Sequence, residues 1–286
     1  MKLEGKIAAV TGGGAGIGEG IVRCLAEEGA DVAVIDIVEK NAAASAAMAA
    51  EMGRRSLAVT ASATDKQQVD GAIEKILETF GRIDILVNNV GGESKYYYEE
   101  QGKDYSEEKE WDDTIRLNLK STVLMSRGVA PHLIKQKSGK IVNIASIAGR
   151  PLSGGGGRPT GDDISPERAA MLGPMAGYAV GKAGVLQFTR MFALQLAPFN
   201  INVNCICPGV LYTPLYERSA PRRKESTPGT ENLSPREYFD KYVVAQVPMK
   251  REQTPEDIGR AVVFFTSEDA KNITGQFINV DGGMVA

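Results

Sequence analysis

Apolar positions along this chain follow two rhythms. Short runs dense in Val, Ile and Ala occur at "KIAAVTG" (6–12), "DVAVIDI" (31–37), "SLAVTAS" (56–62), "IDILVNN" (83–89), "KIVNIAS" (140–146), "INVNCICPG" (201–209) and "GQFINVDGG" (275–283). They are apolar on both faces, as strands of a parallel sheet covered on both sides must be. Between them lie stretches with helical patterning at 16–28, 42–52, 66–79, 111–135, 175–197 and 255–267. Seven strands separated by helices predict an α/β fold: one doubly wound parallel sheet with helices on both faces, residues 1–286 forming a single domain.

Three stretches break the alternation. Residues 92–110 are polar with clustered tyrosines, residues 150–175 are rich in Gly and Pro, and residues 211–250 carry five prolines around "PRRKES". Each follows a strand end, and ligands of open α/β sheets bind beyond the carboxyl ends of the strands. These stretches are therefore expected to be insertions bordering a substrate pocket.

The first strand meets the first helix at "TGGGAGIGEG" (11–20). Glycines there let backbone approach a pyrophosphate, and the helix N-terminus offers free N–H groups and a partial positive charge. Neither the strict G-x-G-x-x-G spacing nor a Lys-Ser/Thr phosphate loop is present; the pattern is T-G-x-x-x-G-x-G, through Gly12, Gly16 and Gly18. Alone it is compatible with a tight structural turn. Asp36, ending the second strand, adds a carboxylate placed to accept hydrogen bonds from a ribose diol and to repel a 2′-phosphate. No basic residue stands at Ala15 or Ile37 to reverse that preference. The expected cofactor is NAD rather than NADP.

"AGYAVGKAG" (176–184) places Tyr178 and Lys182 one helical turn apart among small residues. A phenol is a poor base near neutral pH, with a pKa of about 10, and a neighbouring ammonium stabilises its anion. Beside a nicotinamide, such a tyrosine can pass a proton to or from an alcohol while hydride moves. A tyrosine–lysine pair by itself arises by chance; with the glycine loop and Asp36 it forms a coherent device.

Composition narrows the alternatives. The 286 residues are 43% hydrophobic and 24% charged with a net charge of −3, so no basic excess points to nucleic acid. Cys24, Cys205 and Cys207 form no framework, which suits reduced thiols and a cytoplasmic location. No apolar run approaches the roughly 20 residues of a membrane span. The single histidine, His132, rules out a multi-histidine zinc site and is expected to be structural. No metal is implied.

The chain resembles the short-chain dehydrogenase/reductase family, classical type, from Lys6 to Gly283. The motifs "TGGGAGIG", "NNVGG" (88–92), "NLKS" (118–121), "VNIASIAG" (142–149), "YAVGK" (178–182), "CPGVLYT" (207–213) and "DGG" (281–283) stand in family order. The resemblance implies a Rossmann fold, with Tyr178 as acid/base and Lys182 lowering its pKa and bonding the nicotinamide ribose. It implies Ser146 as hydrogen-bond donor to the substrate oxygen and Asn118 as holder of a water linking the lysine to solvent. Cofactor contacts are implied for Gly12, Gly16, Ile17, Gly18, Asp36, Ile37, Ala63, Asn89, Gly91, Tyr178, Lys182, Val210 and Thr213. A homotetramer is also implied.

Three departures from the family pattern stand out. Ser62 occupies a place where the family has an acid, leaving the adenine contact to the Ala63 backbone. Val90 replaces an alanine. Ser146 and Tyr178 are separated by a long insertion that must loop out for the two hydroxyls to meet.

The expected reaction is interconversion of a secondary alcohol and a ketone, the resemblance favouring oxidation. A steroid or bile-acid alcohol, a cyclic diol, a sugar polyol and a 3-oxoacyl thioester all remain open as substrates. Arg158, Arg168, Arg222, Arg223 and Lys224 form either an anion site or a solvated charge run. Tyr96–Tyr98 either rim the pocket or pack on another subunit. A non-catalytic dinucleotide sensor would have no reason to keep a proton relay, and a nucleotide-dependent methyltransferase does not explain Tyr178 and Lys182.

Overall fold

The computed structural model describes residues 1–94, 107–150, 175–225, 227 and 229–285, without the side chains of Glu107, Arg222, Arg223 and Glu225. The apolar runs form seven strands: β1 (Ile7–Thr11), β2 (Asp31–Asp36), β3 (Ser56–Thr60), β4 (Ile85–Asn88), β5 (Gly139–Ile144), β6 (Ile201–Pro208) and β7 (Phe277–Val280). They make one sheet in the order β3-β2-β1-β4-β5-β6-β7, every pairing parallel. The expected doubly wound architecture is therefore present. The order reverses between β1 and β4, where Thr11 pairs with Asn88, and a crevice opens beyond the strand ends at such a point.

Helices α1 (Ile17–Glu27), α2 (Glu39–Glu51), α3 (Lys66–Phe80), α4 (Glu107–Ile115), α5 (Ser121–Gln136), α6 (Ala176–Leu196), α7 (Pro214–Glu225) and α8 (Pro255–Thr266) fill the crossovers. Strand side chains alternate between two cores. Val10, Val32 and Val34 pack with Ile21, Leu25, Ile258 and Val262 of α1 and α8, whereas Ala9, Ala33 and Ile35 pack with Ile73, Ile76, Met125 and Phe192 of α3, α5 and α6. Helix α1 crosses α8 at close range because Gly20 and Gly259 lack side chains; a Cβ on Gly259 would lie 2.7 Å from both Cys24 Sγ and the Gly20 carbonyl.

Two expectations need adjustment. The helix expected over 111–135 begins at Glu107, absorbing the end of the polar 92–110 stretch, and is interrupted by a π-helical turn, Arg116–Lys120. The 211–250 stretch is largely helical: Pro214 opens α7, which carries Pro221 in its interior, and Pro235 opens a short turn, Pro235–Tyr238, whose Ser234 and Glu237 cap each other. It encloses its own apolar cluster of Tyr216, Tyr238 and Phe239, against which Val210 and Tyr212 pack. No helix among the described residues is long and apolar enough to cross a membrane.

Candidate active site and cofactor cleft

The glycine loop is shaped by contacts that side chains would forbid. Gly12 and Gly16 have φ of 60° and 56°, the left-handed region that glycine tolerates. A Cβ on Gly18 would strike the Gly12 carbonyl and lie 2.7 Å from Asn89 Nδ2. Asn89 ties the loop down: its Nδ2 donates to the Gly12 carbonyl at 2.9 Å and its backbone N–H to Thr11 Oγ1 at 3.0 Å. Helix α1 starts at Ile17, and its N-cap, Gly16, offers no side-chain acceptor to the first N–H groups of the helix. Across the crevice, a Cβ on Gly16 would sit 3.5 Å from Thr213, so loop and the segment after β6 form two facing lips.

Asp36 stands at the end of β2 as expected, and its carboxylate is fixed from both sides. Gly14 N–H donates to Oδ2 at 3.0 Å and Val38 N–H to Oδ1 at 2.9 Å. Gly14 was not singled out by sequence; a Cβ there would lie 2.8 Å from Asp36 Oδ2, so the third glycine of the run admits the acid. Ile37 projects outward, 55% exposed, whereas Ala63 is buried and Ile17 packs partly against the core beneath α1. Ser62 bonds its neighbours: its N–H donates to Gln68 Oε1 at 2.8 Å and its Oγ lies 2.9 Å from Thr64 Oγ1.

Tyr178 lies in the first turn of α6 and Lys182 one turn on, its Nζ 5.8 Å from the phenol ring centroid. Lys182 is only 3% exposed. Its ammonium donates to the Ile144 carbonyl at 2.9 Å, at the end of β5. Burial pulls its pKa from 10.5 to about 8, against a smaller opposing pull from the thiols of Cys205 and Cys207. Gly91 makes room for this arrangement: a Cβ there would run into Lys182 Nζ and lie 2.7 Å from Asn118 Oδ1.

Asn118 is buried within the π-helical turn, where widened backbone is common at functional positions. Its side chain is fully engaged with protein. Oδ1 accepts from Gly92 N–H at 2.9 Å, and Nδ2 donates to the carbonyls of Gly92 (2.7 Å) and Thr114 (2.8 Å). Ser146 follows β5 and caps the turn Ile147–Gly149, its Oγ accepting from Ala148 N–H at 3.1 Å. A buried chain links these strands to α6: Asn88 Nδ2 donates to Asn143 Oδ1 at 2.8 Å, and Asn143 Nδ2 to Thr189 Oγ1 at 2.9 Å.

The fold thus gathers Ser146, Asn118, Lys182, Gly91 and Tyr178 around the carboxyl ends of β4 and β5, with the glycine loop and Asp36 further along the same edge. Sequence reasoning missed Gly14 and the Ile144 carbonyl; the first was signalled by an unassigned glycine, the second by nothing, because a backbone acceptor has no residue type. Of the loop cations, Lys224 bonds the carbonyls of Leu233 (2.6 Å) and Glu231 (3.3 Å) rather than standing open to an anion. Arg158, Arg168, Tyr96–Tyr98 and the side chains of Arg222 and Arg223 lie outside the described residues. His132 lines a groove between α3 and α5 with Asp70 and Glu74, away from the crevice. Among the described residues no cluster of His, Cys, Asp and Glu is arranged to hold a metal ion.

A doubly wound sheet with this loop and this edge defines a dinucleotide-fold protein. Residues 6–156 match the family model for short chain dehydrogenases, and residues 167–285 match that for enoyl-(acyl carrier protein) reductases. The chain belongs to the short-chain dehydrogenase/reductase family of oxidoreductases, which bind a nicotinamide dinucleotide. It is 34% identical to the 2-dehydro-3-deoxy-D-gluconate 5-dehydrogenase of Escherichia coli, covering 100% of this chain and 98% of that one. It is 30% identical to a 3-oxoacyl-(acyl-carrier-protein) reductase of Thermotoga maritima over the whole of both chains. Among solved structures, levodione reductase superposes with a TM-score of 0.79 at 28% identity, covering 98% of each chain. NAD+-bound xylitol dehydrogenase gives 0.79 at 26% identity, covering 99% of this chain and 100% of the other.

Proposed function

We propose that this protein is an NAD-dependent dehydrogenase/ketoreductase that interconverts a secondary alcohol and a ketone of a small molecule, with Tyr178 as general acid/base. The observation that carries the reading is the buried Lys182 ammonium held 5.8 Å from the Tyr178 ring at the start of α6. The positive end of the helix and the ammonium both favour the phenolate, which takes the alcohol proton in oxidation and returns it in reduction. Ser146 holds the substrate oxygen by its hydroxyl. Asn118, whose side-chain amide is bound to Gly92 and Thr114 beside Lys182, holds a water that links the lysine to solvent.

The chain's residues fit the dinucleotide. Gly12, Gly16, Ile17 and Gly18 cradle the pyrophosphate at the uncapped start of α1, and Asp36, flanked by Ile37, takes the adenosine ribose diol. Ala63 and Asn89 line the adenosine side, while Val210 and Thr213 meet the carboxamide, Lys182 the nicotinamide ribose, and Gly91, packed against Lys182, the cofactor beside it. When bound, the nicotinamide supplies or accepts hydride. Preference for NAD is supported by the Asp36 carboxylate, whose charge opposes a 2′-phosphate.

The names of the relatives, reductases and dehydrogenases of oxo and hydroxy compounds, support the reaction class. A homotetramer is supported by the outward stripe of α6, where Val180, Met191 and Leu194 are exposed, Leu194 to 78%. A cytoplasmic site is supported by three buried free cysteines, Cys24, Cys205 and Cys207.

The test is a panel of secondary alcohols and ketones assayed at 340 nm with NAD(H) and NADP(H), with Tyr178→Phe alongside. The variant is expected to lose roughly 10²–10⁴-fold in kcat. Turnover that survives the substitution would refute the assignment of Tyr178.

A further inference from the structure

Residues 209–213, the segment after β6, are gripped at both ends by two consecutive residues of a distant loop. At the near end, Gly209 N–H donates to Gln253 Oε1 at 3.1 Å and to the Val280 carbonyl at 3.0 Å. Glycine is required there, because a Cβ would lie 2.6 Å from both amide atoms of Gln253. Towards the far end, the Tyr212 ring lies against the Arg236 guanidinium, 5.0 Å from its centroid. That guanidinium is held two-pronged by Glu252, Nη1 to Oε1 at 3.0 Å and Nη2 to Oε2 at 2.6 Å, while Nε donates to Asp240 at 3.0 Å.

The pair is itself anchored. Thr254 opens α8 in a reciprocal cap with Asp257, at 2.9 and 3.3 Å, and Met249 N–H donates to the Gly282 carbonyl at 3.2 Å. Gln253 is 6% exposed, and its Nε2 has no partner among the described residues. An apolar side chain of like size would fill that space without leaving a buried donor unmade. What the position contributes is therefore the acceptor oxygen aimed at Gly209.

We propose that Glu252 and Gln253 act as one bracket that positions residues 209–213, and with them the nicotinamide end of a bound dinucleotide. Both are positioning residues, Gln253 acting through the Gly209 backbone and Glu252 through Arg236 and Tyr212. The proposal rests on the cofactor reading given above. It also explains why the aromatic cluster sits on Val210 and Tyr212: the bracket fixes cofactor segment and cluster against the same two residues.

The test measures binding of NADH and of ADP-ribose, which lacks the nicotinamide, to the full chain carrying Gln253→Met or Glu252→Gln. Loss of the Gly209 bond is expected to weaken NADH binding about tenfold, and loss of one charged prong about three- to tenfold. ADP-ribose affinity stays within about twofold of wild type in both variants, since the adenosine side of the cleft is untouched. Unchanged NADH affinity, or equal weakening of both ligands, overturns the bracket while leaving the cofactor site standing. A wild-type chain that binds neither ligand overturns the cofactor reading, and the bracket with it. If Gln253→Met does not fold, the exposed-side Glu252→Gln variant decides by the same comparison.

Discussion

Lys182 Nζ donates to the carbonyl of Ile144 at 2.9 Å, so the ammonium one turn beyond Tyr178 is fastened to the end of strand β5. A flexible side chain becomes a fixed charge, and its burial holds the pKa at about 8. In the proposed mechanism, alcohol oxidation needs the Tyr178–Lys182 pair to be short of a proton, and ketone reduction needs it to hold one. Log kcat/KM for oxidation is therefore expected to rise with pH as the pair gives up its proton, and that for reduction to fall over the same range. A pH profile flat between 7 and 9 in both directions would contradict this.

The same shift bears on stability. The folded chain holds Lys182 neutral above about 8, whereas the unfolded lysine keeps its proton to 10.5. The cost of burying the charge is full below about 8 and is relieved as pH rises to 10.5. Wild type is thus expected to gain stability relative to Lys182→Met across that window, read as the difference between their urea midpoints.

Asp36, at the end of β2, accepts backbone N–H groups from Gly14 and Val38. Asp36→Ala removes both acceptors and the charge; Asp36→Asn keeps one acceptor oxygen. Roughly 10–100-fold weaker NADH binding is expected for Asp36→Ala, with discrimination against NADPH falling in both variants. Equal NADH:NADPH ratios in wild type and Asp36→Asn would show that the charge does not set the preference.

Gly91 has no room for a methyl group, because Lys182 Nζ and Asn118 Oδ1 occupy the place. Gly91→Ala is expected to displace the ammonium and lower kcat by at least about tenfold, with a loss of about 1–3 kcal/mol in stability. Measured kcat and thermal midpoint together check it: a variant with wild-type turnover would place the lysine elsewhere during the reaction.

Gly259 tests the fold apart from the site. A Cβ there meets Cys24 Sγ and the Gly20 carbonyl, pressing α8 away from α1. Gly259→Ala is expected to cost about 1–3 kcal/mol of stability while leaving kcat at low temperature near wild type.

Much of this protein was legible in its sequence. Runs such as "KIAAVTG" and "INVNCICPG" determined the strands, because side chains buried on both faces leave a continuous apolar signature. The glycine loop, Asp36 and the Tyr178–Lys182 spacing pointed to the candidate site, because local geometry, a turn or a helix repeat, fixes them. What only the tertiary structure decided involves partners distant in the chain or lacking a residue type: the Ile144 carbonyl beneath Lys182, the π-helical turn that orients Asn118 onto Gly92, the fit of Gly14 against Asp36, and Glu252 reaching Arg236. The proline-rich 211–250 stretch reads as a loop because proline breaks helices in general. At the first position of a helix, where Pro214 and Pro235 stand, it does not, and α7 continues through Pro221 as part of a segment packed around Tyr216, Tyr238 and Phe239. Sequence sets which residues can do chemistry; packing sets which backbone atoms and remote charges hold them in place.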